Sequence, residues 1–193
     1  MENQAPSMFL DLVRKRHSCR AYNPEKPVHD GDLRACLEAA RLAPSACNRQ
    51  PWRFVVVRNQ AKQEAILKEG LLPGIHHDWL ANAPVIVALC VQKDITTHQL
   101  APTVSKVPYY MVDAGIAGEH FILAATERGL GTCWIGWINQ KKLKKLLALP
   151  RKVQVASLIA VGHPAETVEA ANRTQRNTLA EIAFQDEYLR PLK

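Results

Sequence analysis

Ala43-Pro44-Ser45-Ala46-Cys47-Asn48-Arg49-Gln50-Pro51-Trp52 separates a helix-patterned stretch from an apolar, strand-patterned one, and the chain is organised around it. Pro44 stops the preceding helix, because the residue before a proline is pushed out of the α region, and Pro51 fixes a second extended step. Small and amide side chains predominate between the two prolines. Such a loop holds backbone N–H and C=O groups in a rigid frame, with Ser45, Asn48 and Gln50 able to donate and accept hydrogen bonds. That is a surface suited to a flat, polar ligand. A plain helix-to-strand connector is the alternative, and the segments on either side decide between the two.

The totals bound the answer. A chain of 193 residues, 47% hydrophobic and 22% charged, suits one soluble domain or one protomer of an intimate dimer. The net charge of +7 raises nucleic acid as a partner, yet the basic residues are scattered except at Lys141, Lys142, Lys144, Lys145, Arg151 and Lys152. That cluster lies on a helix over 140–148 whose apolar face is Leu143, Leu146 and Leu147, which makes the lysines a solvated face. Five cysteines without a C-x-x-C pair indicate neither a disulfide framework nor a zinc knuckle. The first residues have no secretory pattern and the longest apolar runs are too short to span a bilayer. A cytoplasmic protein with no membrane and no nucleic-acid partner is the expectation.

Ser7 caps a short helix in which Phe9, Leu12 and Val13 share a face. The helical period then breaks, and Arg16-His17-Ser18-Cys19-Arg20-Ala21-Tyr22 runs extended toward Pro24. Alternate side chains of an extended chain share a side, so Arg16, Ser18 and Arg20 converge while His17 and Cys19 point the other way. Two guanidiniums and a hydroxyl match a phosphate monoester; a surface salt-bridge cluster is the competing reading. Asp30 is the expected cap of the next helix, with Leu33, Cys36, Leu37 and Ala40 buried. A strand over 54–57 follows, then a helix from Asn59 that Gly70 stops, and a strand over 85–91 that is apolar on both faces and so central in its sheet. His76-His77-Asp78 lacks a third spaced ligand and is discounted as a metal site.

The longest helix is expected over 108–128, apolar and rich in small residues at Ala114, Gly115, Ala117 and Gly118. Small residues permit close approach of another backbone, in the core or at a subunit interface. Gly129-Leu130-Gly131-Thr132-Cys133-Trp134-Ile135-Gly136 is not a dinucleotide fingerprint: Trp134 occupies the third glycine position, and a helix precedes the loop where that motif needs a strand. It reads as a glycine turn into a short strand. Asn139 caps the lysine-rich helix, and 153–161 forms a third long strand.

Together these motifs resemble the nitroreductase family of flavin enzymes, from about Arg16 to Phe184. Arg16-His17-Ser18-Cys19-Arg20 is similar to the family's R-x-S-x-R phosphate motif, and 44–52 to its P-S-x-x-N-x-Q-P-W loop. The segment 129–136 is similar to its G-L-G-T-x-W segment, and Arg176 precedes Leu179 as a C-terminal basic residue does there. The resemblance implies a single α+β domain over 1–193, with a mixed sheet flanked by helices. It also implies an intertwined homodimer with FMN at the interface and a C-terminal segment, about 165–193, packed on the partner. Residue by residue, Arg16, His17, Ser18 and Arg20, joined by Arg173 or Arg176, would hold the phosphate end of the cofactor. Pro44, Ser45, Ala46 and Asn48 from the other subunit would line the flavin, and Trp134, Ile135 and Gly136 would face it near N5. Ala46 stands where many members have serine, and His76 is a candidate for the pyrimidine edge by position.

The activity so implied is ping-pong: NADH or NADPH gives hydride to flavin N5, and an oxidised acceptor such as a nitroaromatic or a quinone then takes it. No catalytic side chain and no metal is required. The alternatives are a specialised member with another donor or reaction, and a non-catalytic flavin-binding module.

Overall fold

The computed structural model describes residues 7–74, 78–92, 106–165 and 175–192. Four strands make one sheet in the order β1-β2-β4-β3: β1 Trp52–Val57, β2 Val85–Gln92, β3 Gly131–Ile135 and β4 Val153–Gly162. All three pairings are antiparallel. A parallel bridge from Ser18 to Thr132 extends the β3 edge and makes the pairing mixed. The expectation for 85–91 holds: β2 is central, and every residue from Val85 to Val91 is buried.

Alternation sorts the side chains of β2 into two layers. Ile86, Ala88 and Cys90 face a core shared with Ile66, Leu80 and Leu143, whereas Val85, Val87, Leu89 and Val91 face Leu33, Cys36, Ala117 and Phe121. In β4 a register shift opposite Leu89 and Cys90 skips Ala156, so Val155 and Leu158 face the same layer. An inserted residue reverses the alternation phase beyond it, which lets Val153 and Val155 before the bulge and Leu158 and Ala160 beyond it face one layer.

Helices α2 Asp30–Arg41 and α4 Tyr109–Glu127 cover one face of the sheet. Phe121 of α4 is fully buried and stacks on Phe54 of β1 at 5.8 Å between ring centroids. A side chain so buried contributes about 1.5–3 kcal/mol relative to leaving it in water. The other face carries α5 Gln140–Leu146 and the helical turn Ile66–Gly70 that continues α3 Gln60–Ala65. Asn59 and Asn139 accept from the third amide beyond them, Lys62 and Lys142, as true N-caps do. At α2 the expected cap is displaced by one: His29 is the N-cap, and Asp30 lies in the first turn, paired with Arg58 at 2.9 Å. α1 Met8–Lys15, capped by Ser7, has the expected apolar face but buries none of it. A short α6, Leu179–Ile182, closes with a Thr178/Glu181 capping box. No helix among the described residues is long and apolar enough to cross a membrane.

His163, just past β4, has its Nε2 buried without a hydrogen-bond partner among the described residues. Burial lowers its pKa below the ordinary 6.5, with Lys26 and His29 repelling the charged form; a hydrogen bond to the Pro27 backbone and the Asp32 charge oppose. The unfolded chain therefore binds this proton more readily, so the contribution to stability is complete above the unfolded value and lost as pH falls through the folded one. Thermal midpoints are expected to drop below about pH 6.5, and His163→Gln to reduce that drop. An identical pH profile in the variant would contradict this account.

Candidate functional site

The Arg16–Arg20 segment is placed by backbone pairing. Cys19 N–H donates to the Thr132 carbonyl at 2.9 Å, Asn23 N–H to His163 at 2.9 Å, and Ala165 N–H to Ala21 at 3.1 Å. The Tyr22 hydroxyl, kept protonated by burial, donates to the Cys19 carbonyl at 2.9 Å. Cys19 is buried while Ser18 and Arg20 are exposed, the alternation expected of an extended chain, but it does not reach back to 16–17, where Arg16 is half-buried and His17 exposed. Among the described residues neither Arg16 nor Arg20 has a carboxylate partner. Within that set the salt-bridge alternative finds no acid, and the two charges stay available to an anion.

Burial raises the pKa of the Cys133 thiol, and the Arg20 charge pulls it back. Burial likewise raises Cys19, whose thiol donates to the Ala21 carbonyl at 3.2 Å. Both sulfurs are thus neutral thiols and poor nucleophiles. Beyond Cys133, Trp134 lies against Gly118 of α4, and β3 ends at Ile135. Gly136 is exposed, and a Cβ added there would meet nothing within 4 Å. The protein's own packing does not require a glycine here.

The 43–52 loop is strained and braced. Cys47, Asn48 and Gln50 have φ of 50°, 51° and 47°, a left-handed conformation that asparagine tolerates but that costs about 1–2 kcal/mol each at cysteine and glutamine. Such strain persists only where surrounding contacts over-determine it. Here Ala46 N–H donates to the buried Asp113 carboxylate at 2.9 Å. Gln50 N–H donates to the Ser45 hydroxyl at 2.9 Å, and the Gln50 amide to Asn48 Oδ1 at 2.9 Å. Gln92 N–H ties down Pro51 at 2.8 Å. Asp113 was not among the residues singled out by sequence. An acid on the buried face of a helix has to find donors, and that was the available signal.

The remaining candidates lie apart. His17 faces a groove of about 160 Å³ with Gly129, Leu130 and Pro164, and its Nδ1 is 3.1 Å from the Lys15 carbonyl. Arg176 is exposed ahead of α6, its guanidinium on the Gln175 carbonyl at 3.4 Å. Arg173 and His76 fall outside the described residues.

The nitroreductase family model matches residues 13–73 and 71–163. An FMN reductase [NAD(P)H] from Bacillus subtilis strain 168 is 32% identical over 192 residues, spanning 93% of this chain and 74% of the relative. An NADH dehydrogenase from Thermus thermophilus is 30% identical over 178 residues, spanning 79% of this chain and 84% of the relative. The crystal structure of a nitroreductase family protein from Clostridium difficile 630 superposes with a TM-score of 0.80 at 26% identity, over 94% of this chain and 99% of that one. By these matches the chain belongs to the nitroreductase family.

Proposed function

We propose that the chain is an FMN-dependent oxidoreductase that carries hydride from NADH or NADPH to an oxidised acceptor such as a nitroaromatic or a quinone, working as a homodimer. The observation that carries this reading is the pairing of the Arg16–Arg20 segment with β3, which joins a phosphate-type donor set to a bare backbone at Gly136. The names of the Bacillus and Thermus relatives support the cofactor and the donor.

The residues fit such a cofactor. Arg16 and Arg20 supply charge and bidentate donors, and Ser18 a neutral one, as a phosphate monoester requires. His17 would join them through its backbone, since its side chain faces the groove by Pro164. A missing side chain at Gly136 lets the main chain approach a ring face closely. Trp134 and Ile135 fix that strand end, and the Ser157 hydroxyl donates to the Ile135 carbonyl at 3.0 Å. Pro44, Ser45, Ala46 and Asn48 would line the ring from a second copy, and Arg173 or Arg176 would add charge at the phosphate. Bound FMN would supply the hydride-accepting and hydride-donating ring. The protein's part is to hold it, keep water from one face, and place positive charge where anionic charge develops.

Surface chemistry supports the dimer. Met8, Phe9, Leu179, Ile182, Tyr188 and Leu189 are large, apolar and exposed, Tyr188 at 82%. Gly115, exposed in mid-α4 with nothing near an added Cβ, costs about 1 kcal/mol against alanine, an expense that close approach of a second helix explains.

The test is the visible spectrum of the purified protein, repeated after anaerobic addition of each nucleotide. A flavin spectrum that bleaches with NADH or NADPH is expected. Failure to take up FMN sinks the reading, and a flavin spectrum indifferent to both donors sinks the donor assignment.

A further inference from the structure

One large aromatic beside the candidate site is not used by the packing around it. Trp137 follows Gly136 directly and is 50% exposed, yet it is held in place. Its Nε1–H donates to the Pro73 carbonyl at 2.8 Å, and its own carbonyl accepts from Leu72 N–H at 3.1 Å. Leu71 is bridged to Ile138, and Asn139 N–H donates to the Gly70 carbonyl at 2.8 Å. The stretches 70–73 and 137–139 are thereby zipped together at the strand end.

An indole anchored by its polar edge keeps its faces free. Trp134 is different, because its ring edge is taken up by Gly118. Leaving half of a tryptophan in water forfeits apolar burial that a core position would recover. Next to a bare glycine, that exposed face is positioned to receive a flat molecule. An electron-rich indole pairs favourably with an electron-poor ring in offset stacking.

Resting on the flavin-site reading above, we propose that Trp137 determines acceptor specificity: its face forms the side wall against which planar, electron-poor aromatics stack beside Gly136. The pin to Pro73 orients the ring, and the ring face makes the contact.

Equilibrium binding tests this without turnover. The FMN-loaded protein is titrated with 4-nitrobenzoate in the absence of any reductant, and the dissociation constant is read from the perturbation of the flavin spectrum. Trp137→Ala is expected to weaken binding about tenfold. Trp137→Phe keeps an aromatic face and loses the N–H to Pro73, and is expected to stay within about threefold of the parent. Equal constants for the parent and Trp137→Ala overturn the proposal. So does a Trp137→Phe protein as impaired as Trp137→Ala, or a Trp137→Ala protein that has lost its flavin, since either makes the residue a structural pin. A parent protein that fails to take up FMN sinks the site reading itself, whereas a parent that bleaches with NAD(P)H beside an unaffected Trp137→Ala sinks the role of Trp137 alone.

Discussion

Arg20→Ala is expected to raise the dissociation constant for FMN by roughly ten- to a hundredfold, the equivalent of losing one charged hydrogen-bonding partner. The fold is expected to survive, because the side chain is exposed while the segment is held by backbone bonds on both sides, from Cys19 to Thr132 and from Asn23 to His163. Tyr22 anchors the same turn from inside, through the Cys19 carbonyl. Arg20→Lys separates charge from geometry: an ammonium keeps the charge but loses the planar fork, so it should fall between parent and alanine. Flavin fluorescence titration of the apo-proteins measures all three, with circular dichroism as the check on folding. Full FMN affinity in Arg20→Ala would contradict the phosphate assignment. Equal affinity for lysine and arginine would show that charge alone is read there.

How far the sequence could be read depended on the range of the interaction. The alternation of exposed Ser18 and Arg20 about a buried Cys19 was legible because extended backbone dictates it locally. The caps at Ser7, Asn59 and Asn139 were legible for the same reason. At α2 the cap slipped by one residue because Asp30 is engaged by Arg58, 28 positions away, which no local rule contains. The strand order β1-β2-β4-β3 was beyond reach, since burial of both faces marks a strand as central without naming its neighbours. The bulge in β4 was hidden too, because every residue flanking it is apolar or small and alternation gives no sign of a phase change. Asp113 and Ser157 are the bracing residues missed: each is a buried polar side chain, and each holds backbone belonging to a distant segment. The resemblance to flavin enzymes supplied what local physics could not, namely the proposal that the 16–20 segment, the 43–52 loop and the strand end at Gly136 serve one ligand.

Gly118→Val is expected to destabilise the protein by about 2–3 kcal/mol through overpacking and to dislodge Trp134. A Cβ at position 118 would lie 2.2 Å from Trp134 Cη2, 2.6 Å from its Cζ2 and 3.1 Å from Leu89 Cδ2. Leu89 is fully buried in β2, so the indole has to give way. Trp134 is 36% exposed and has solvent to move into, but it sits two residues before Gly136, so its movement would pull on the strand end that the flavin reading requires. Glycine inside a helix already costs about 1 kcal/mol against alanine, and α4 is 19 residues long, so something other than helix propensity keeps a glycine here. The Trp134 ring is that reason, whereas three residues earlier Gly115 meets nothing within its own chain. The two glycines therefore separate by experiment. Gly118→Val should lower the denaturation midpoint and red-shift tryptophan emission in the subunit itself. Gly115→Val should act on self-association, seen by sedimentation, more than on the folding of a single chain. Parental stability and unshifted emission in Gly118→Val would show that Trp134 does not pack on α4, and would remove the support beneath the strand end at Gly136.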